Sequence, residues 1–206
     1  MLVTSKDSLS GDIIETDPIK LFSRWFDEAQ QAGLRLPEAM TLATVTEDCR
    51  PAARMLLLKQ VDERGFVFYT NYQSNKAREL ESNPNAALVF HWAPLEHQVR
   101  VEGTVTRISA AESDAYFQTR PRESQIGALA SPQSQVIASR EVLEDRAREI
   151  EKGYEGQVIK RPEHWGGYLL KPNRIEFWQG RLGRLHDRLL YELEPDGTWT
   201  IKRLAP

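Results

Sequence analysis

Three groups of residues in this sequence have the types and spacing to grip an anion or a planar ring. The first is Arg54-Met55-Leu56-Leu57-Leu58-Lys59, followed by Tyr69-Thr70-Asn71 and Ser74-Asn75-Lys76. Arg54 opens a leucine-rich strand candidate that runs to Gln60, and Lys59 lies five residues on. An odd offset puts the two cations on opposite faces of a regular strand, so one segment could serve two anions. Solvated basic ends on a buried strand would read the same way. Hydroxyls, backbone N–H groups and a lysine at a helix start suit a phosphate dianion, although an ordinary N-cap explains Ser74 equally well.

The second group is Tyr116 with Arg120-Pro121-Arg122-Glu123-Ser124. Tyr116 and Arg120 are four apart, hence on one helical face, and Ser124 follows where a new turn could begin. The alternative is a surface helix stopped by Pro121. The third and densest group follows Phe177-Trp178-Gln179-Gly180. Residues Arg181 to Arg188 hold three arginines and His186 against one acid, Asp187. On a strand, Arg184, His186 and Arg188 would share one face. Such groups repel one another unless something anionic or electron-rich sits between them, which favours a functional histidine over a structural one. Trp178 could stack on a planar ring or simply plug the end of a barrel.

Other chemistries lack their residues. There is no G-x-G-x-x-G, no G-x-x-x-x-G-K-[ST], no G-x-S-x-G and no H-E-x-x-H. The four histidines lie at no metal-ligand spacing, and the single cysteine, Cys49, excludes an internal disulfide and a cysteine-based zinc site, so no metal is expected. With 27 Lys plus Arg against 30 Asp plus Glu, the net charge of −3 argues against a general nucleic-acid binder. A hydrophobic share of 40% argues against disorder of the whole chain. The longest unbroken apolar run is the five residues Ala86–Phe90, too short to span a bilayer, and the start MLVTSKDSLSGD has no apolar signal region. A soluble, cytoplasmic protein of 206 residues is expected.

The elements that must position these groups follow from periodicity. Residues 1–16 are polar and read as a mobile arm, ahead of a single domain over 17–206. Asp17-Pro18 starts a helix whose Leu21, Phe22, Trp25, Phe26 and Ala29 form an apolar stripe ending near Gly33. Strand candidates follow at Ala43–Val45, Arg54–Gln60, Phe66–Tyr69, Ala86–Trp92, Gln98–Ile108, Trp165–Gln179, Leu189–Leu193 and Thr198–Leu204. Short helices are expected at Ser74–Glu81, after a capping box at Ser109 and Glu112, and at Ser139–Lys152. Many strands with few peripheral helices predict a mainly β (α+β) fold, a closed or nearly closed barrel.

In this order the stretches RMLLLK (54–59), FYTN (68–71), SNK (74–76), RPRESQIGALASPQS (120–134), EFWQG (176–180), RLHDR (184–188) and IKRLAP (201–206) resemble the pyridoxine/pyridoxamine 5′-phosphate oxidases, FMN enzymes of vitamin B6 metabolism. The resemblance runs from about Asp17 to the last residue, and the RPRESQIG block and the spacing of RLHDR from EFWQG are its specific parts. It implies an FMN-binding split β-barrel and a homodimer with FMN at the interface. FMN would be contacted by Arg54, Met55, Leu56, Leu57, Leu58 and Lys59, by Tyr69, Thr70 and Lys76, and by Gln98, Gln133, Ser134, Trp178 and Arg188. The substrate phosphate would be held by Lys59, Tyr116, Arg120 and Ser124. Arg184 and His186, the implied catalytic pair, would close over the pyridine ring with the backbone of Leu185. The implied reaction moves a hydride from C4′ of pyridoxine or pyridoxamine 5′-phosphate to flavin N5. O2 then reoxidises the flavin, giving pyridoxal 5′-phosphate and H2O2, with ammonia from the amine.

The chain departs from that family's pattern at Asn75, where a basic residue is common, and at Leu36, where an acid is expected. The arm also lacks the Arg/Tyr pattern that helps cover the site in relatives. Two other functions stay open. One is a split-barrel flavin oxidase of a phenazine precursor, against which the phosphate-binding set speaks. The other is a non-catalytic FMN or pyridoxal-phosphate carrier, against which Arg184 and His186 speak.

Overall fold

Asp17 and Pro18 set the first element. In the computed structural model, which describes Leu9 and residues 14–206, Oδ1 of Asp17 accepts from the N–H groups of Ile19 (2.9 Å) and Lys20 (3.4 Å). Helix α1 (Pro18–Gln31) buries Leu21, Phe22, Trp25 and Ala29. Phe22 meets Phe66 and Phe90 edge-on, at 4.8 and 4.9 Å between ring centres, so the helix closes over the concave face of the sheet.

That sheet has nine antiparallel strands among the described residues: β1 (Ala39–Val45), β2 (Pro51–Leu57), β3 (Gln60–Asp62), β4 (Gly65–Asn71), β5 (Asn85–Trp92), β6 (His97–Arg107), β7 (Trp165–Gln179), β8 (Asp187–Leu193) and β9 (Trp199–Arg203). The order is β2-β1-β5-β6-β7-β4-β3, with β8 also on β7 and β9 on β8. Strand β7 is the joint. Its first half pairs with β4 and its second half with β8, while β6 runs along the other side of both. The change of partner falls at a bulge, where Glu102 pairs with Arg174 and Gly103 with Pro172. A Cβ on Gly103 would lie 2.1 Å from the carbonyl oxygen of Lys171, so the close approach of the two strands requires glycine.

Helix α2 (Asn75–Ser82) shows how strongly the sheet curls. Its Glu79 reaches Thr44 on β1 and its Lys76 reaches Thr70 on β4, four strand steps apart in the sheet order. A flat sheet would separate those strands by about 19 Å, more than the roughly 12 Å length of the helix. The outcome is a curled half-barrel with peripheral helices α1 to α5, the last three being α3 (Ala110–Thr119), α4 (Arg122–Ala130) and α5 (Arg140–Gly153). One core runs through Leu21, Met40, Phe90, Val101, Ile175 and Tyr191, and a smaller one under α3 and α4 holds Phe117, Ile126, Ile159 and Trp165. No helix among the described residues is long and apolar enough to cross a membrane.

Several expectations need correction. The strand expected at Arg54–Gln60 is displaced: β2 begins at Pro51, which pairs with Val45 in the β1–β2 hairpin. It ends at Leu57, because Leu58 and Lys59 donate their N–H groups to Glu38 and Val67. The parity argument for Arg54 and Lys59 therefore fails. Arg120 is not on a helical face with Tyr116; it caps α3 in an extended conformation, and Pro121 starts α4, which the sequence reading missed. Arg184 and His186 precede β8 rather than lying on a strand with Arg188, and Arg184 has φ +61°. Most of the arm expected at 1–16 lies outside the described residues. Of its described positions, Leu9 is buried in the core and the carbonyl of Glu15 accepts from the hydroxyl of Tyr191 at 2.7 Å.

Candidate active site

The start of α2 gathers the first group. Lys76 is only 8% exposed, yet its Nζ bonds neutral oxygens alone: Gln133 Oε1 (2.9 Å), Thr70 Oγ1 (3.2 Å) and Ser74 Oγ (3.3 Å). Burial, and then the charge of Arg54, lower the Lys76 pKa to about 8, against an opposing effect of Glu79. Glu79 in turn accepts from Arg54 Nη2 at 2.7 Å, while Arg54 Nη1 donates to Thr44. Ser74 occupies the N-cap position of α2 without capping it; its hydroxyl donates to Asn71 O at 2.7 Å. The N–H of exposed Asn75 donates to Ser134 Oγ at 3.3 Å, and Ser134 itself has φ +72°. Two cations, hydroxyls and a helix N-terminus thus converge on one place, the donor set of a phosphate receptor.

Adjacent on β4, Tyr69 points the other way. Its ring stacks on Tyr116 at 3.9 Å and on Trp165 at 5.3 Å. The Arg120 guanidinium lies 4.4 Å over the Trp165 ring. Arg120 Nη1 is buried with no hydrogen-bond partner, and burial lowers the guanidinium pKa. Burial also pushes the Tyr69 hydroxyl up to about 12, and raises that of Tyr116. Ser124 lies in the first turn of α4, its N–H bonded to Pro121 O at 2.9 Å. This second group is an aromatic wall carrying a desolvated cation with a donor to spare.

The third group lies across β6, β7 and β8. Gln98 pairs with Trp178, and Trp178 with Arg188, in one cross-strand row. Arg188 Nε donates to Glu176 at 2.8 Å, and Trp178 lies 4.7 Å from the His186 ring. His186 Nδ1 accepts from the Arg181 N–H at 3.1 Å. Arg184 and Leu185 are exposed on the connection between β7 and β8.

The structure therefore brings Arg54, Thr70, Lys76, Gln133 and Ser134 together, and separately Tyr69, Tyr116 and Arg120. The expected contacts Met55, Leu56, Leu57 and Leu58 line up along and just after β2, with Met55 exposed and Leu58 buried. Lys59 is exposed, its backbone tied to Val67 two residues before Tyr69. The third group is remote. Thr70 pairs with Gly166 and Arg188 with Trp178, twelve residues apart on β7, about 40 Å of extended strand. No hydrogen bond, ion pair or ring contact among the described residues joins it directly to the other two. Sequence reading missed Glu79 and Trp165, and it counted Arg181 in the third group without giving it a role. Glu79 had a signal, an acid three residues after Lys76 on the same helix face. Trp165 meets Arg120 across 45 residues of sequence, with no local sign.

Known proteins match this chain along its length. Residues 26–153 fit the family model described as pyridoxamine 5′-phosphate oxidase, and residues 165–206 the one described as pyridoxine 5′-phosphate oxidase C-terminal dimerisation region. The pyridoxine/pyridoxamine 5′-phosphate oxidase of Rubrobacter xylanophilus is 58% identical over 202 residues, covering 98% of this chain and 93% of the relative. Among solved structures, PhzG from Burkholderia lata in complex with tetrahydrophenazine-1-carboxylic acid superposes with a TM-score of 0.89 at 32% identity, covering 96% of this chain and all of that one. A pyridoxamine 5′-phosphate oxidase-related, FMN binding protein from Nostoc punctiforme shares the fold, with a TM-score of 0.75 at 20% identity over 94% of this chain and all of that one. The curled sheet, the two cation-bearing clusters beside β4 and these matches along the chain agree: the chain belongs to the pyridoxamine 5′-phosphate oxidase family.

Proposed function

We propose that this chain is the FMN-dependent oxidase that converts pyridoxine 5′-phosphate and pyridoxamine 5′-phosphate to pyridoxal 5′-phosphate. It would consume O2 and release H2O2, with a water consumed and ammonia released when the substrate is the amine, and would work in the cytoplasm. One observation carries the reading: neighbouring residues of β4, Thr70 and Tyr69, each belong to a different cluster that holds a desolvated cation, Lys76 in one and Arg120 in the other. Lys76, buried against Arg54 with only neutral acceptors, fits the phosphate of FMN. Arg120, half-buried with its buried Nη1 lacking any hydrogen-bond partner, fits the phosphate of the substrate. FMN, when bound, supplies the acceptor for the two electrons that leave the substrate's C4′.

The protein's own part is binding and orientation. Arg54, Thr70, Lys76, Gln133 and Ser134 would hold the cofactor phosphate, with the backbone and side chains from Met55 to Lys59 alongside. Arg120, Tyr116, Ser124 and Lys59 would anchor the substrate phosphate, fixing the distance of its ring from the flavin. Gln98, Trp178 and Arg188 would complete the flavin site, and Arg184, Leu185 and His186 would cover the pyridine ring. Because the third group lies about 40 Å along β7 from the first, the site would be shared: one protomer supplies the first two groups and its partner the third. The dimerisation region matched at residues 165–206 contains that third group apart from Gln98, which supports the reading.

The likeness to PhzG favours a second reading, a phenazine-precursor oxidase. One assay separates the readings. Purified protein should show flavin absorbance and, with pyridoxine 5′-phosphate and dissolved oxygen, form peroxide and pyridoxal 5′-phosphate. Flavin without either product would leave a carrier. Equal turnover of unphosphorylated pyridoxine would remove the phosphate anchor.

A further inference from the structure

The connection between β7 and β8, which carries Arg184 and His186, is tied at its base by a closed ring of hydrogen bonds. Gln179 Oε1 accepts from the Leu9 N–H (3.4 Å) and from Arg181 Nη2 (3.1 Å). Arg181 Nε donates to Asp187 Oδ2 (2.7 Å), and Arg203 Nη1 to Asp187 Oδ1 (3.0 Å). Arg203 Nη2 then donates to the carbonyl of Leu9 (2.6 Å), which closes the ring. Gln179 cannot turn its amide round without loss, because its NH2 group would then face two donors, the Leu9 N–H and Arg181 Nη2; as it stands, its Nε2 faces Nε2 of His97 at 3.3 Å. His97 is fully buried and stacked on Trp25, and burial, then Arg181, push its pKa down to about 4, so it stands neutral.

The ring has a chemical consequence at His186, five residues on from Arg181. A backbone N–H can only donate, so the bond from Arg181 N to His186 Nδ1 makes Nδ1 the acceptor. The neutral imidazole then carries its proton on Nε2. The rest of the loop turns sharply and lies open: Gly183 and Arg184 sit at φ +67° and +61°, and Leu182 is 97% exposed. We propose that Arg181 is a positioning residue that, braced by Gln179 and Asp187 and through them by Leu9, holds His186 as the Nε2–H tautomer beside Trp178. A role for His186 in the reaction rests on the function proposed above; the tautomer does not.

Nitrogen-15 spectra of histidine-labelled, FMN-loaded protein test this directly, with His186→Asn identifying the His186 signals. At a pH where the ring is neutral, the wild type should show one His186 tautomer, protonated at Nε2. Arg181→Ala should show a mixture of both tautomers and a kcat lower by about tenfold, with KM for the phosphorylated substrate nearly unchanged. Arg181→Lys, which keeps a cation for Asp187, should recover part of each loss. An unaltered tautomer in folded Arg181→Ala would overturn the proposal, even if thermal stability fell. If the protein oxidised no pyridoxine 5′-phosphate at all, the spectra would still decide the tautomer.

Discussion

Arg120 and Arg184 are both arginines of the proposed site, yet their surroundings assign them different effects. Arg120 is half-buried over Trp165 with its Nη1 unsatisfied, as expected for a group that grips a substrate before and during reaction alike. Arg120→Ala should raise KM about 10- to 100-fold, the worth of a charge-assisted hydrogen bond, with kcat little changed. Arg184 is exposed on the loop that would close over the ring, so Arg184→Ala should lower kcat as well. Steady-state kinetics on both variants distinguish the two patterns. Lys76 supplies a pH prediction. Its pKa of about 8 in the free protein means that the ammonium is lost as pH rises through 8, whereas a bound dianion favours the charged form. FMN affinity should therefore fall between pH 7.5 and 9.5 by up to about tenfold per pH unit, with proton uptake on binding. Titration by flavin fluorescence measures it, and Lys76→Met should bind more weakly with a flat profile.

Local chemistry made some elements readable and long-range contacts hid others. Asp17-Pro18 and the Ser109/Glu112 capping box carry their own hydrogen bonds, so α1 and α3 begin where the sequence puts them. The strand at Trp165–Gln179 was legible with both its ends, because its pattern of buried residues does not depend on which neighbour it has. Pro121 misled because the same residue can end one helix and open the next, and only Ile126 packing under Phe117 and Trp165 decides it. The site residues were legible as types but not as groups: Arg120 and Tyr116 do meet one wall, though through Trp165 and Tyr69 rather than along a helix. The β6–β7 bulge, equally invisible in sequence, supports a prediction of its own. Gly103→Ala forces a methyl group against the Lys171 carbonyl, where neither strand can yield without losing pairing. It should cost about 1–3 kcal/mol in urea unfolding, and an unchanged midpoint would contradict the close approach.

At the scale of the molecule, the separation of the third group from the first makes a claim about two chains rather than one. At FMN concentrations that saturate only the wild type, Lys76→Met and Arg188→Ala should each be nearly inactive, since each removes a cation from a different part of the shared site proposed above. Mixed dimers of the two variants would contain one site with both defects and one with none. Random reassembly of equal amounts should therefore restore about a quarter of wild-type activity. No recovery would mean that each chain carries a complete site. The position of β7 in the sheet has a different consequence, for a chain still being made. Before residues 165–179 are made, the strands form two fragments, β2-β1-β5-β6 and β3-β4, each with a bare strand edge that β7 will cover. A nascent polypeptide emerging from the ribosome must carry both edges unpaired until nearly four-fifths of its length has been synthesised. Premature termination before Trp165 would leave them open for good, as templates for aggregation.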